Sequence, residues 1–269
     1  AALDADAEAG SWKELVDYAR GGLATGDLRN QLTNVLGPIV NAAPWLQRGA
    51  QLRLTDVDLP KGWASYRQFL LARSKASSQS LLWVSSNDSM LHAFNAKTGA
   101  PVMSYLPSPL MGGLRAASRE STKSITATMD GSPFTADVYL GAGAQTGAWK
   151  TYLFSSLGRG GRAVFALDVT DTASLNELHA GSIFKWMFSS DDDADLGYVL
   201  MDPVVHRSSG QPANVVRLNN GHFAVMLPNG YGSGNGRAYL YFLDVAGREQ
   251  MGVWGSNVIK LPTDDATAN

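Results

Sequence analysis

The sequence predicts an all-β fold: a modified, incomplete β-propeller of the quinoprotein-like type, led by short N-terminal helices. Three observations predict it. Charged residues make up 17% of the chain, against roughly a quarter in an average soluble domain, while 28 glycines and 11 prolines favour turns over helix interiors. From residue 81 onward, short β-prone runs alternate with clusters of Gly, Asn, Asp and Ser, the pattern of many short strands. One strand-pair pattern also recurs three times.

The first copy runs Leu82-Trp83-Val84-Ser85-Ser86, a turn, then Met90 to Asn95. The second runs Tyr152 to Ser156, a Gly-rich turn, then Ala163 to Asp168. The third runs Phe223 to Leu227, a longer Gly-rich turn, then Tyr239 to Asp244. The closing residues Asn95, Asp168 and Asp244 are 73 and then 76 residues apart. A propeller blade takes about 40 residues, so each interval holds one blade with an insertion, or two blades of which one has lost the pattern. Each closing Asx side chain is expected to cap the turn into the next strand. Trp186 follows Asp168 and Trp254 follows Asp244 at short distance, as indoles clamped between neighbouring sheets or as ordinary core aromatics.

The remaining elements follow in order. Residues 11–21 read as a helix: Ser11 and Glu14 form a capping box, Trp12, Leu15, Val16 and Ala19 share one stripe, and Gly21 stops it. A second helical stretch at 27–36 ends before Pro38. Trp63 to Arg73 has helical spacing at Tyr66, Phe69 and Leu70. Strands are expected at 81–85, 90–94, 125–129, 138–141, 151–155, 162–168, 183–188, 203–207, 214–218, 222–227 and 238–244, with Asp130-Gly131 as a hairpin turn after Met129. This divides the chain into a helical and irregular lead-in, 1–80, and propeller blades, 81–269. Three to five blades are expected, fewer than a closed ring, as a fragment of a larger propeller with open sheet edges.

Composition excludes several functions. The chain has no cysteine, so disulfide scaffolds, thiol catalysis and Cys-ligated metals are out. A formal net charge of -2 with no long basic run argues against nucleic acid as the main partner. No apolar run approaches the roughly 20 residues of a membrane helix. The N-terminal residues carry no signal-peptide pattern, so the chain is expected to be cytosolic, mature or part of something longer.

The metal candidate is the acidic run with Asp191, Asp193 and Asp195. As a calcium loop these take positions one, three and five, with Asp202 at position twelve. Leu196 stands where such a loop needs glycine, and Gly197 comes one residue late. The same run reads equally as a solvated turn. The histidines His92, His179, His206 and His222 lack ligand spacing, and His92 reads as a hydrogen-bonded sheet residue. No Gly-x-Ser-x-Gly elbow occurs. Gly141 to Gly147 lacks the Gly-Lys-Ser/Thr ending of a phosphate loop. The Gly-rich stretches 158–162 and 229–237 are either exposed recognition loops or hairpin turns. No catalytic or cofactor-binding residue is assigned.

Five collinear stretches carry a family resemblance. Asn87-Asp88-Ser89-Met90-Leu91-His92-Ala93-Phe94-Asn95 is similar to the strand pair NDGMLHAF(D/N) of the PilY-type proteins, the type IV pilus tip adhesins and biogenesis factors that include the neisserial PilC proteins. Gly37 to Pro44 resembles the family's GDIVNSSP lead-in, and Met129 to Pro133 its VDGSP stretch. Gly158 to Thr170 resembles G.GGKGVFALDVT. Asp195-Leu196-Gly197-Tyr198 with Pro203, then Asn229-Gly230-Tyr231 and Leu243-Asp244, complete the series. Ser89 and Pro38 depart from it, standing where Gly and Asp are usual. The family's Asp-rich DxDxDG calcium loop has no counterpart here, so its calcium switch is carried over to no residue of this chain, and the resemblance leaves calcium to other parts of the full-length proteins.

The resemblance implies a non-catalytic adhesion and pilus-assembly factor. It implies export to the pilus tip, cell surface or outer membrane of a Gram-negative bacterium. The implied partners are minor pilins and a host-cell or abiotic surface. Two alternatives stand beside it: a quinoprotein-like propeller dehydrogenase, suggested by the Asp168…Trp186 and Asp244…Trp254 pairs, and a generic propeller scaffold.

Overall fold

The computed structural model describes residues 11–20, 36–47, 54–75, 80–118, 127–141, 147–207, 212–248 and 253–263. Among these, twelve strands form three four-stranded antiparallel sheets. The first holds β1 (Trp45–Gln47), β2 (Leu81–Ser86), β3 (Met90–Asn95) and β4 (Pro101–Tyr105). The second holds β5 (Phe134–Leu140), β6 (Ala148–Ser156), β7 (Ala163–Asp168) and β8 (Phe184–Ser189). The third holds β9 (Val215–Arg217), β10 (Phe223–Pro228), β11 (Tyr239–Asp244) and β12 (Val258–Pro262). Each sheet is a simple meander in chain order, the form of a propeller blade. The three strand-pair repeats are the middle strands of the three sheets. Four α-helices lie outside them: α1 (Ser11–Ala19), α2 (Tyr66–Lys75), α3 (Met111–Ser118) and α4 (Ala180–Ile183).

Side-chain alternation explains the stacking order. On one face of the second sheet Phe134, Ala136, Tyr152, Phe154, Val164, Ala166, Trp186 and Phe188 pack with Val225, Leu227, Tyr241 and Leu243 of the third sheet. On the other face Leu153, Phe165 and Leu167 pack with Leu81, Trp83, Leu91 and Ala93 of the first. The second sheet is therefore buried on both faces, and its strands read as near-continuous apolar runs. The third sheet has an apolar but more exposed far face. Aligning the sheets on Asp168 and Asp244 places Phe154 at the position of Met226, Val164 at Leu240, Trp186 at Ile259 and Phe188 at Leu261. The first member of each pair is buried; Met226 and Leu240 are half-buried, and Ile259 and Leu261 are exposed.

The Asx caps form as expected. Asn95 Oδ1 accepts from the backbone N–H groups of Lys97 and Thr98, Asp168 Oδ1 from Thr170, and Asp244 Oδ1 from Ala246. The two tryptophans, however, are not equivalent. Trp186 pairs with Ala166 inside β8 and donates its indole N–H to the Val245 carbonyl at 2.9 Å, crossing from the second sheet to the third. Trp254 lies ahead of β12 and packs back, edge-on, against Trp186 and Phe188, 5.1 Å from each. Both indoles fill one junction. Gly247 (φ 83°) makes that junction possible, since a Cβ there would overlap the Trp186 ring.

Several expectations are corrected. Asp130-Gly131 closes no hairpin: residues 127–133 are not strand, and the Asp130 carboxylate accepts from the backbone and side chain of Asn41. The dipeptide serves a close crossing between sheets, with no room for a Cβ at Gly131 beside Ser156. Residues 203–207 contribute only an isolated bridge, Val205 to Pro212. Strands β1, β4 and β12 were not expected; they are short, and β4 and β12 carry prolines at their ends. The first sheet draws β1 from within residues 1–80, so strand pairing crosses that boundary. Helix α1 buries Leu15 and Tyr18. The helical stretch expected at 27–36 lies almost wholly outside the described residues.

The segment between β1 and β2 reaches the other sheets. Tyr66 of α2 donates to Asp137 Oδ2 at 2.7 Å, Arg73 pairs with Asp137 Oδ1 at 3.1 Å, and Thr151 donates to the same oxygen at 2.6 Å. Asp137 is fully buried, and a buried carboxylate persists only when paired and hydrogen-bonded. Trp63 stacks on Tyr139 at 4.1 Å and touches Phe223 of the third sheet. The segment between β1 and β2 thus clasps the second sheet through α2 and the third through Trp63.

Candidate functional site

The acidic run leaves β8 and turns toward the third sheet. The turn is built locally: Asp192 Oδ2 accepts from the Ser189 backbone at 2.9 Å, and Asp193 Oδ1 accepts from the Asp195 backbone at 3.0 Å. Two cations from the third sheet's side meet it. Arg248, after β11, pairs with Asp192 at 2.8 Å. Lys260, in β12, lies 2.9 Å from Asp193 and 2.5 Å from Asp195. Tyr241 also donates to Asp193 Oδ2 at 2.9 Å. The Lys260 ammonium sits 4.4 Å from the centroid of Tyr239 and 5.7 Å from that of Tyr241, close enough for the ring faces to attract it.

These contacts set the ionisation. Burial works against a charged Asp193, yet the Asp195 N–H, the Lys260 ammonium and the Tyr241 hydroxyl together hold its carboxyl below the usual range. Burial likewise disfavours charged Lys260, but Asp195 and Asp193 hold its pKa above the ordinary lysine value. Burial first, then the neighbouring Asp193, pushes the Tyr241 phenol up.

The four metal candidates are therefore not gathered around one point. Asp193 and Asp195 share Lys260, Asp191 is exposed, and Asp202 accepts from the Ser132 hydroxyl at 2.7 Å. Among the described residues no group of three or more His, Asp or Glu side chains is arranged to hold a metal ion. Sequence reasoning missed Lys260 because it missed β12. The available signal was a single cation within the apolar run Val258–Pro262.

Asp202 belongs to a different arrangement. Ala43, Ser132 and Asp202 each precede a proline on the way into a sheet. The Ala43 N–H donates to Ser132 Oγ at 3.0 Å, and Ser132 Oγ donates to Asp202 Oδ1 at 2.7 Å. This relay ties the approaches to all three sheets.

His92 is hydrogen-bonded as expected, to Ser104 Oγ through Nδ1 at 2.8 Å and to Asp88 Oδ2 through Nε2 at 2.9 Å. The Asp88 carboxylate also accepts from the backbones of Gly37 and Met90, so the row fastens the β2–β3 turn. His222 lies 2.6 Å from Asp244, and His179 2.9 Å from Asn176. The Gly-rich stretches act as hairpin turns. Residues Gly158–Gly160 form a 3-10 turn between β6 and β7 that presses on Thr128, and 229–237 join β10 to β11. Among the described residues, no helix is long and apolar enough to cross a membrane.

Comparison with known proteins agrees with this geometry. The family model described as the PilY1 beta-propeller domain matches residues 36–252. The type IV pilus biogenesis factor PilY1 of Pseudomonas aeruginosa (strain UCBPP-PA14) is 33% identical over 234 residues, covering 86% of this chain and 18% of that protein. A PilY1 homolog of Xylella fastidiosa (strain Temecula1) is 32% identical over 252 residues, covering 87% of this chain and 15% of that protein. The chain thus spans less than a fifth of the length of these relatives. The crystal structure of the P. aeruginosa PilY1 C-terminal domain superposes with a TM-score of 0.53 at 30% identity, over 76% of this chain and 34% of that one. The family model covers residues 36–252, most of the three-sheet body, and relatives about one-third identical span most of the chain, so the chain belongs to the PilY1 β-propeller family.

Proposed function

We propose that this chain acts, without catalysis of its own, as a binding part of a type IV pilus assembly factor. It is exported and works at the pilus tip or cell surface, through contacts with minor pilins and with a host-cell or abiotic surface. The observation that carries the reading is the family match over residues 36–252, joined to the relatives' description as pilus biogenesis factors. The structure supports a scaffold role. A charged junction around Asp193 and Lys260 ties sheet to sheet, and His92 with Asp88 fastens a turn. The Asp168…Trp186 and Asp244…Trp254 pairs that suggest the dehydrogenase alternative do not repeat one docking arrangement, since Trp186 lies in a strand and Trp254 ahead of one.

The test is genetic. Deleting residues 36–252 in frame from the gene in its own organism should sharply reduce surface pili while leaving pilin levels unchanged. Normal piliation by the deletion strain would contradict the proposal.

A further inference from the structure

We propose that the Lys260 ammonium is the resident cation of the acidic run, so that the junction between the second and third sheets needs no divalent ion and ignores chelators. The run has the acid spacing of a cation loop. The position between its two inward carboxylates is filled, however, by a side chain from another sheet. Lys260 Nζ contacts Asp193 Oδ1 at 3.0 Å, Asp193 Oδ2 at 2.9 Å and Asp195 Oδ2 at 2.5 Å. The faces of Tyr239 and Tyr241 complete its surroundings.

Carboxylate oxygens on one side and aromatic faces on the other form a cation-binding environment. The next acid is already taken, since Asp192 is neutralised by Arg248. Lysine suits this place because its charge is compact and its three donors reach separate oxygens. The cation is covalently tethered through β12, so it draws the outer strand of the third sheet onto the turn that leaves the second. The oxygens on the ammonium belong to two aspartates, hard donors of the kind calcium takes. Removing the ammonium therefore leaves a weak oxygen-rich site for a divalent or trivalent ion.

Terbium, a luminescent stand-in for calcium, tests this, because its emission is sensitised by nearby Tyr and Trp rings such as Tyr241. The intact chain and its Asp193→Asn variant should give the same low emission. Lys260→Gln should show saturable emission at least tenfold higher, displaced by excess calcium and lost when Asp193→Asn is added. Lys260→Arg, which keeps the positive charge, should stay dark. Strong emission from the intact chain that disappears with Asp193→Asn would overturn the proposal, because the acids would then hold a metal despite Lys260. A folded Lys260→Gln variant as dark as the intact chain would overturn it too, since no cation position would then exist. If Lys260→Gln does not fold by circular dichroism, thermal unfolding of the intact chain decides. Identical midpoints in chelator and in calcium support the proposal, and a calcium-raised midpoint refutes it.

Discussion

Ser89 is the one non-glycine residue with positive φ, 77°, among the described residues. It sits in the β2–β3 turn, at the position where the motif it resembles has glycine, and its hydroxyl is buried without a hydrogen-bond partner. Left-handed backbone costs an L-residue roughly 1–2 kcal/mol, and a buried unpaired hydroxyl adds to that. Glycine removes both costs but frees the unfolded chain. Ser89→Gly is therefore expected to stabilise the protein by about 1 kcal/mol, read as a raised denaturant midpoint with unchanged slope. The strain was legible in the sequence as a departure from a turn motif. The Lys260 contact was not, because it joins residues 65 and 67 positions apart and depends on a short strand, Val258–Pro262, that ends in proline.

At the scale of elements, burial rather than residue type separates equivalent positions in different sheets. Phe154 of β6 and Met226 of β10 hold the same register position, yet Phe154 lies under the third sheet and Met226 is half-buried on that sheet's far face. Phe154→Ala should cost about 3–5 kcal/mol. Met226→Ala should cost about 1 kcal/mol, since much of its surface is already in water. Equal losses in chemical denaturation would contradict the stacking order. The middle strands were legible because their apolar runs are long and end in Asx caps. Outer strands β4 and β12 were not, because solvent on one side relaxes the pattern. Asp130-Gly131 misled because the dipeptide that suits a hairpin also suits a close crossing, and only the distant partner Asn41 distinguishes them.

The junction between the second and third sheets also sets a pH window. The Asp193 pKa is lowered in the folded state, so its stabilisation is complete above the ordinary value of 3.8 and is lost as pH falls through the lowered one. The Lys260 pKa is raised, so its contribution is complete below the ordinary value of 10.5 and is lost as pH rises through the raised one. Between those limits the junction should contribute a constant stability. Unfolding midpoints of Lys260→Gln and the intact chain, compared across pH, should keep a constant gap over that range and converge outside it. A gap that changes steeply near neutral pH would contradict the assignment.

For the whole molecule, three sheets, a relay through Ser132 and a helical clasp on Asp137 make one interlocked body. The fold class and the family resemblance were both legible in the sequence, because blade repeats are local patterns. How the sheets lock together was not, because the locks are long-range pairs between single residues. Such a body suits a rigid binding surface. The most direct measurement is co-purification of this chain with the minor pilins of its own organism, with and without calcium, after circular dichroism has shown it folded. The account predicts that the chain retains the pilins, and equally well in chelator. A folded chain that retains no minor pilin would contradict the claim that these residues form a pilin-binding part of the assembly factor.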